Sequence, residues 1–133
     1  MRVLAAVLAA AAATLPLACG DDDEPTGRTV TVPAEPPRPI EIVGDEYFFD
    51  PSTVVMTGPG DEAVEIELVL DNRGDLAHNV RVFQEDEEIG GTPTFDGGEK
   101  RGGSVRVGAG EYRLVCTVAD HEEQGMTGRL VVR

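Results

Sequence analysis

From Ile40 onward the chain alternates apolar and polar residues over short runs, the period of a strand with one face against a core. Val64-Glu-Ile-Glu-Leu-Val-Leu70 sends Val64, Ile66, Leu68 and Leu70 inward and two glutamates outward. His78-Asn-Val-Arg-Val82 places His78, Val80 and Val82 on one face, and Glu111-Tyr-Arg-Leu-Val-Cys116 does the same with Tyr112, Leu114 and Cys116. Ser104–Val107 and Gly128–Arg133 read as further strands. Between these runs stand Thr57-Gly-Pro-Gly60, Asn72-Arg-Gly74, Asp96-Gly-Gly98 and Gly108-Ala-Gly110, residues that supply turn geometry. The pattern predicts an all-β sandwich or barrel over residues 40–133, long enough to enclose one core. The only helical signal, a weak one, is a single turn between Phe83 and Glu88.

The first 39 residues follow another logic. Met1-Arg2 and the apolar run Val3–Leu15 are too short to span a bilayer and read as a secretory signal, residues 1–18. Cys19, followed by Gly20 and Asp21-Asp-Asp-Glu24, resembles a bacterial lipoprotein processing site, which makes Cys19 a candidate lipid anchor. Cleavage after Ala18 without lipid is the alternative. Residues 19–39, acidic and then proline-rich, have too little apolar surface to offset their ordering entropy and are expected to be a mobile linker. The expected location is outside the cytoplasm, either tethered to a membrane or free in the periplasm or medium.

The chemistry concentrates near the C-terminus. Cys116, His121 and Met126 stand four intervening residues apart, on a strand end and the loop after it. A soft thiolate, a borderline imidazole and a weak thioether together suit copper better than zinc, magnesium or calcium. A second imidazole is needed, and His78 is the only other histidine in the chain. Each residue also has a plain reading. Cys116 can be a packed thiol or bridge to Cys19, His78 and His121 can be ordinary histidines, and Met126 can be packing.

These residues carry a resemblance. Ile42–Met56 looks like the opening strand pair of the cupredoxins, His78-Asn79 like that family's first copper ligand with its following Asn, and Cys116, His121 and Met126 like its closing ligand loop. The resemblance covers nearly all of residues 40–133. It implies a Greek-key β-sandwich holding one type 1 copper ion on His78, Cys116, His121 and Met126. It further implies that Asn79 ties the first ligand segment to the Cys loop near Thr117. His121 is the ligand whose ring edge would reach the surface, and Met126 the weak bond that tunes the potential. A cupredoxin-like domain that has lost its metal is the runner-up.

One cysteine in the loop excludes a dinuclear centre, and two histidines are too few for multicopper oxidase chemistry. The expected function is therefore a one-electron carrier rather than an enzyme. The alternative is copper holding or delivery to an oxidase, which three methionines support poorly. Charge narrows the partner. Without residues 1–18 the chain has ten basic residues against twenty-five acidic, which excludes nucleic acid and suits a redox protein with a basic docking face, a cytochrome or an oxidase. Asp120, Glu122 and Glu123 lie inside the ligand loop, where they favour Cu(II) and argue against a purely hydrophobic docking patch. Glu85–Glu88 reads as a solvated acidic face.

Overall fold

Alternating runs become paired strands because each must bury its apolar face against another sheet. The computed structural model of the chain describes residues 27–33 and 39–133. In chain order the strands are β1 (Thr29–Pro33), β2 (Ile40–Asp45), β3 (Phe48–Asp50), β4 (Thr53–Thr57) and β5 (Val64–Asn72), followed by β6 (Arg81–Gln84), β7 (Glu87–Gly91), β8 (Lys100–Val107), β9 (Gly110–Val115) and β10 (Thr127–Val132). They form two mixed sheets, ordered β1-β4-β10-β9-β6-β7 and β3-β2-β5-β8. The pairs β1/β4, β4/β10 and β2/β5 are parallel. No helix occurs among the described residues, so the all-β sandwich expected from the sequence is the fold.

The core lies between the sheets. Ile66, Leu68 and Leu70 of β5 face Val54 and Met56 of β4 and Leu114 and Leu130 of the β9/β10 pair, all with at most 2% of their surface exposed. The glutamates at 65 and 67 point outward, as the alternation requires. Tyr112 closes the far corner: its hydroxyl donates to the Gly108 carbonyl at 2.9 Å and accepts the Gly108 amide at 3.0 Å.

Three expectations need correction. The linker expected over residues 19–39 contains β1. Its β-branched residues pair in parallel with β4, with Val30 and Val32 packed against the core and the threonines at 29 and 31 outward. The acidic and proline-rich composition on either side masks this short alternation. The segment Phe83–Glu88 is the β6/β7 hairpin rather than a helical turn, with Phe83 opposite Glu88 and Gln84 opposite Glu87. Glu85 at the tip takes a left-handed φ of 53°. The strand expected over His78–Val82 starts at Arg81, because a side chain takes the Val80 amide and the backbone bonds before Arg81, such as the Thr92 amide to the Val80 carbonyl at 2.9 Å, are isolated and form no continuous ladder. The Val80 amide donates to Thr92 Oγ1 at 3.0 Å, while His78 makes a lone bridge to Phe95, with both amide-to-carbonyl bonds at 3.1 Å. The signal segment and Cys19 lie outside the described residues.

Candidate metal centre

Four chain segments meet beyond the ends of the strands: the β2–β3 turn, the loop after β5, the loop before β8, and the long connection from β9 to β10. The last ladder pair of β9 and β10 is Val115 with Thr127, so Cys116 and Met126 face each other just past it. The Cys116 amide donates to the Met126 carbonyl at 3.1 Å, and the Met126 amide to the His121 carbonyl at 3.0 Å. Residues 117–125 are wound between these bonds, and the His121 amide itself closes a turn onto Val118 at 3.0 Å. Gly125 has φ 107°, a conformation that a side chain resists, which explains glycine immediately before Met126. Bringing the Cys116 thiol and one imidazole together, with the Met126 backbone bonded to both residues, is thus a property of one closed loop on a rigid strand pair.

His78 arrives from the other sheet through the loop after β5. Asn72, fully buried, shapes that loop by donating to the Leu76 carbonyl at 2.9 Å and the Phe95 carbonyl at 3.2 Å, and by accepting the Gly74 amide at 3.1 Å. Asn79 joins the loop to the Cys segment. Its amide donates to Thr94 Oγ1 at 2.8 Å and Thr117 Oγ1 at 2.9 Å, and its carbonyl oxygen accepts the Thr117 amide at 2.9 Å.

The donor atoms form a small triangle. His78 Nδ1 lies 3.2 Å from His121 Nδ1 and 3.8 Å from Cys116 Sγ, and His121 Nδ1 lies 3.5 Å from the same sulfur. The point equidistant from these corners is about 2.0 Å from each, close to a metal–imidazole bond of about 2.0–2.1 Å and slightly short of a metal–thiolate bond of about 2.3 Å. The three residues fit a single ion. His78, Cys116 and Met126 are fully buried, while His121 keeps 5% of its surface exposed. Burial pushes the Cys116 thiol above its ordinary range, against the Asn79 and Val118 backbone amides, which act the other way. A soft metal that replaces the proton removes that penalty. Cys116 is a free thiol in the structure.

Two contacts on the imidazoles left almost no signal in the sequence, because they come from the β2–β3 turn, far from either histidine in the chain. Glu46 Oε1 lies 2.9 Å from His78 Nε2, and Tyr47 packs on His121 with ring centroids 4.9 Å apart and planes tilted by 58°. The Glu46 carboxyl is lowered to about 2, chiefly because it accepts the Leu76 amide and, against some desolvation, also the His78 ring and the Asp75 amide. An ionised carboxylate only accepts hydrogen bonds, so His78 carries its proton on Nε2 and turns the Nδ1 lone pair into the triangle. The one trace in the sequence is Gly74. A Cβ there would stand 2.2 Å from Glu46 Oε1, so the carboxylate occupies space that only glycine leaves.

No family model and no curated protein matches the chain. Solved structures do. An azurin from Methylomonas sp. strain J superposes with a TM-score of 0.61 at 14% identity, covering 73% of this chain and 98% of that one. Auracyanin A from Chloroflexus aurantiacus, described as a blue copper protein, gives 0.53 at 21% identity over 80% of this chain and 100% of its own. Rusticyanin from Thiobacillus ferrooxidans gives 0.54 at 20% identity over 83% and 88%. The likeness establishes the fold: this chain is a cupredoxin-type β-sandwich.

Proposed function

We propose that the protein is a one-electron carrier that holds a single type 1 copper ion on His78, Cys116, His121 and Met126. The observation that carries this reading is the buried triangle of two Nδ1 atoms and one Sγ. Copper bound there would cycle between Cu(I) and Cu(II), and the mixed nitrogen and sulfur donors suit both states. The protein's part is to fix the donors before the metal arrives and to keep water out. Strand ends and the Asn79 hydrogen bonds fix the positions of Cys116 and His78, and full burial of both excludes solvent. Met126, buried at the foot of the loop beside Cys116, is the fourth ligand. A site saturated by protein donors leaves no place for a substrate, so the role is carrying rather than catalysis. Burial of every donor also disfavours handing the metal on.

His121 is the electron port, since it alone of the four keeps surface exposed. Its loop presents exposed carboxylates at 120, 122 and 123, with Glu122 paired to Arg113. Phe48, next to Tyr47, and Leu76, two residues before His78, are the exposed large apolar residues of the described part. The acidic loop suits a redox partner with a basic docking face. We further propose export with Cys19 as the lipid anchor, which rests on the N-terminal pattern of residues 1–24.

Adding Cu(II) to the purified protein tests the central claim. An intense thiolate-to-copper absorption with small copper hyperfine splitting is expected, and Cys116→Ser abolishes it. A colourless protein that yields its metal to a mild chelator would refute the carrier and favour delivery. Electron exchange with a cationic cytochrome should slow as salt is added. Mass measurement of the exported protein should find diacylglycerol on Cys19.

A further inference from the structure

We propose that Glu46 is a positioning residue that sets the copper potential through His78, lowering it by placing a negative charge on the far side of the buried imidazole; the inference rests on the copper reading above. The geometry supporting it is specific. Glu46 Oε1 meets His78 Nε2 at 2.9 Å, on a side chain only 25% exposed, while the imidazole is fully buried. The carboxylate does not reach the ring by chance. Backbone amides hold it, Leu76 on Oε1 at 2.9 Å and Asp75 on Oε2 at 3.3 Å, both from the loop that ends in His78. Gly74 opens the space above it: a Cβ there would lie 2.2 Å from Oε1 and 2.7 Å from the carboxyl carbon. The β2–β3 turn and the His78 loop are therefore fitted to each other around this one group.

A neutral acceptor would fix the same tautomer, so orientation alone does not call for a charge. What a carboxylate adds is electrostatic. With Cys116 as thiolate, Cu(I) gives a neutral centre and Cu(II) one of unit positive charge. A fixed anion hydrogen-bonded to the ligand ring stabilises the second more than the first, and it also raises the basicity of the imidazole. Glu46 thus acts in the same direction as the carboxylates of the ligand loop but, half-buried and in direct contact with the ring, is less weakened by salt.

The test compares the full chain with Glu46→Gln, which keeps an oxygen facing Nε2 and removes the charge. Losing an outer partner of a metal-bound His costs about 10–100-fold in affinity. If Cu(II) bears the lower figure and Cu(I) none, the potential rises by about 59 mV, the one-electron equivalent of tenfold. The blue absorption persists, because Cys116 is untouched. Glu46→Asp, with the charge retained, should lie closer to the wild type. A Glu46→Gln potential equal to or below the wild type overturns the proposal. Nitrogen NMR of the metal-free wild type gives a second readout that needs neither copper nor a folded variant: His78 should carry its proton on Nε2, and a ring protonated on Nδ1 alone refutes the arrangement. A wild type that binds copper without turning blue defeats the copper reading instead, and the metal-free spectrum keeps the two failures apart.

Discussion

Asn79→Ala removes the joint between the two halves of the site. Asn79 is 4% exposed and makes three hydrogen bonds, at 2.8, 2.9 and 2.9 Å, to Thr94 and Thr117. A typical intramolecular hydrogen bond contributes about 0.5–1.5 kcal/mol net, and the exposed Thr117 would recover part of its loss from water. The low half of that range, taken over three bonds, gives a destabilisation of about 2 kcal/mol. For a domain of about 100 residues this lowers Tm by about 8–16 °C, readable by thermal unfolding of the metal-free protein. Because the same bonds hold the His78 segment against the Cys116 segment, copper affinity should also fall by about tenfold or more in a competition titration. Thr94→Val serves as the control. It removes the bond directed away from the Cys loop and should cost stability while leaving copper affinity near that of the wild type. An Asn79→Ala protein that loses less than about 0.5 kcal/mol and binds copper as before would refute the claim that this residue couples the two ligand segments.

Other perturbations address separate parts of the structure. Tyr112→Phe deletes both bonds to Gly108, at 2.9 and 3.0 Å, and should cost about 1–2 kcal/mol in denaturant unfolding while the copper spectrum stays unchanged. Gly125→Ala places a side chain at φ 107° and should cost about 1–3 kcal/mol, and because Met126 follows directly, copper affinity should fall with it. The raised Cys116 thiol makes metal-free stability depend on pH. The unfolded chain releases its thiol proton first, near pH 8.5, so above that pH the folded state binds more protons than the unfolded. Stability contributed by the thiol is therefore complete below about pH 8.5 and lost as pH rises toward the folded value, a decline that copper-bound protein should not show.

How much of this was legible in the sequence differs by element. Strand alternation around Val64–Leu70 and Glu111–Cys116 was clear because those runs pair on both sides and bury one face. β1 was hidden, since five residues of modest alternation lie within acidic and proline-rich neighbours, and only pairing with β4 gives them a place. The His78 segment misled in a different way. Its inward positions are buried as the alternation says, but the Val80 amide bonds the Thr92 hydroxyl and the backbone bonds of His78 and Val80 stand isolated, so no continuous ladder forms. In the site, the donor types and their spacing pointed to His78, Cys116 and His121, which the fold brings together. Of the outer contacts, the tie between Asn79 and Thr117 was implied by the resemblance and is present, but those on the far sides of the imidazoles did not show. Glu46 is 32 positions from His78, and a glutamate between Asp45 and Tyr47 reads like any turn acid until the loop bearing Gly74 closes over it.

The two imidazoles are held by unlike means, and that asymmetry follows from where they sit. His78 comes from a loop braced by Asn72 and Asn79, with a carboxylate fixing its ring, and no surface reaches solvent. His121 sits in a wound loop with Tyr47 against its ring and a small exposed edge. A half-buried charge behind one ligand and an opening beside the other would separate two tasks that a redox site must perform together. On the proposed reading, the inner side would set how strongly the electron is held, and the outer side how it enters and leaves. A change at Glu46 should then shift the potential with little effect on docking, whereas changes among the loop carboxylates should alter salt dependence first. If both kinds of substitution moved potential and docking in the same proportion, this division of labour would be wrong, and the site would have to be treated as one electrostatic unit.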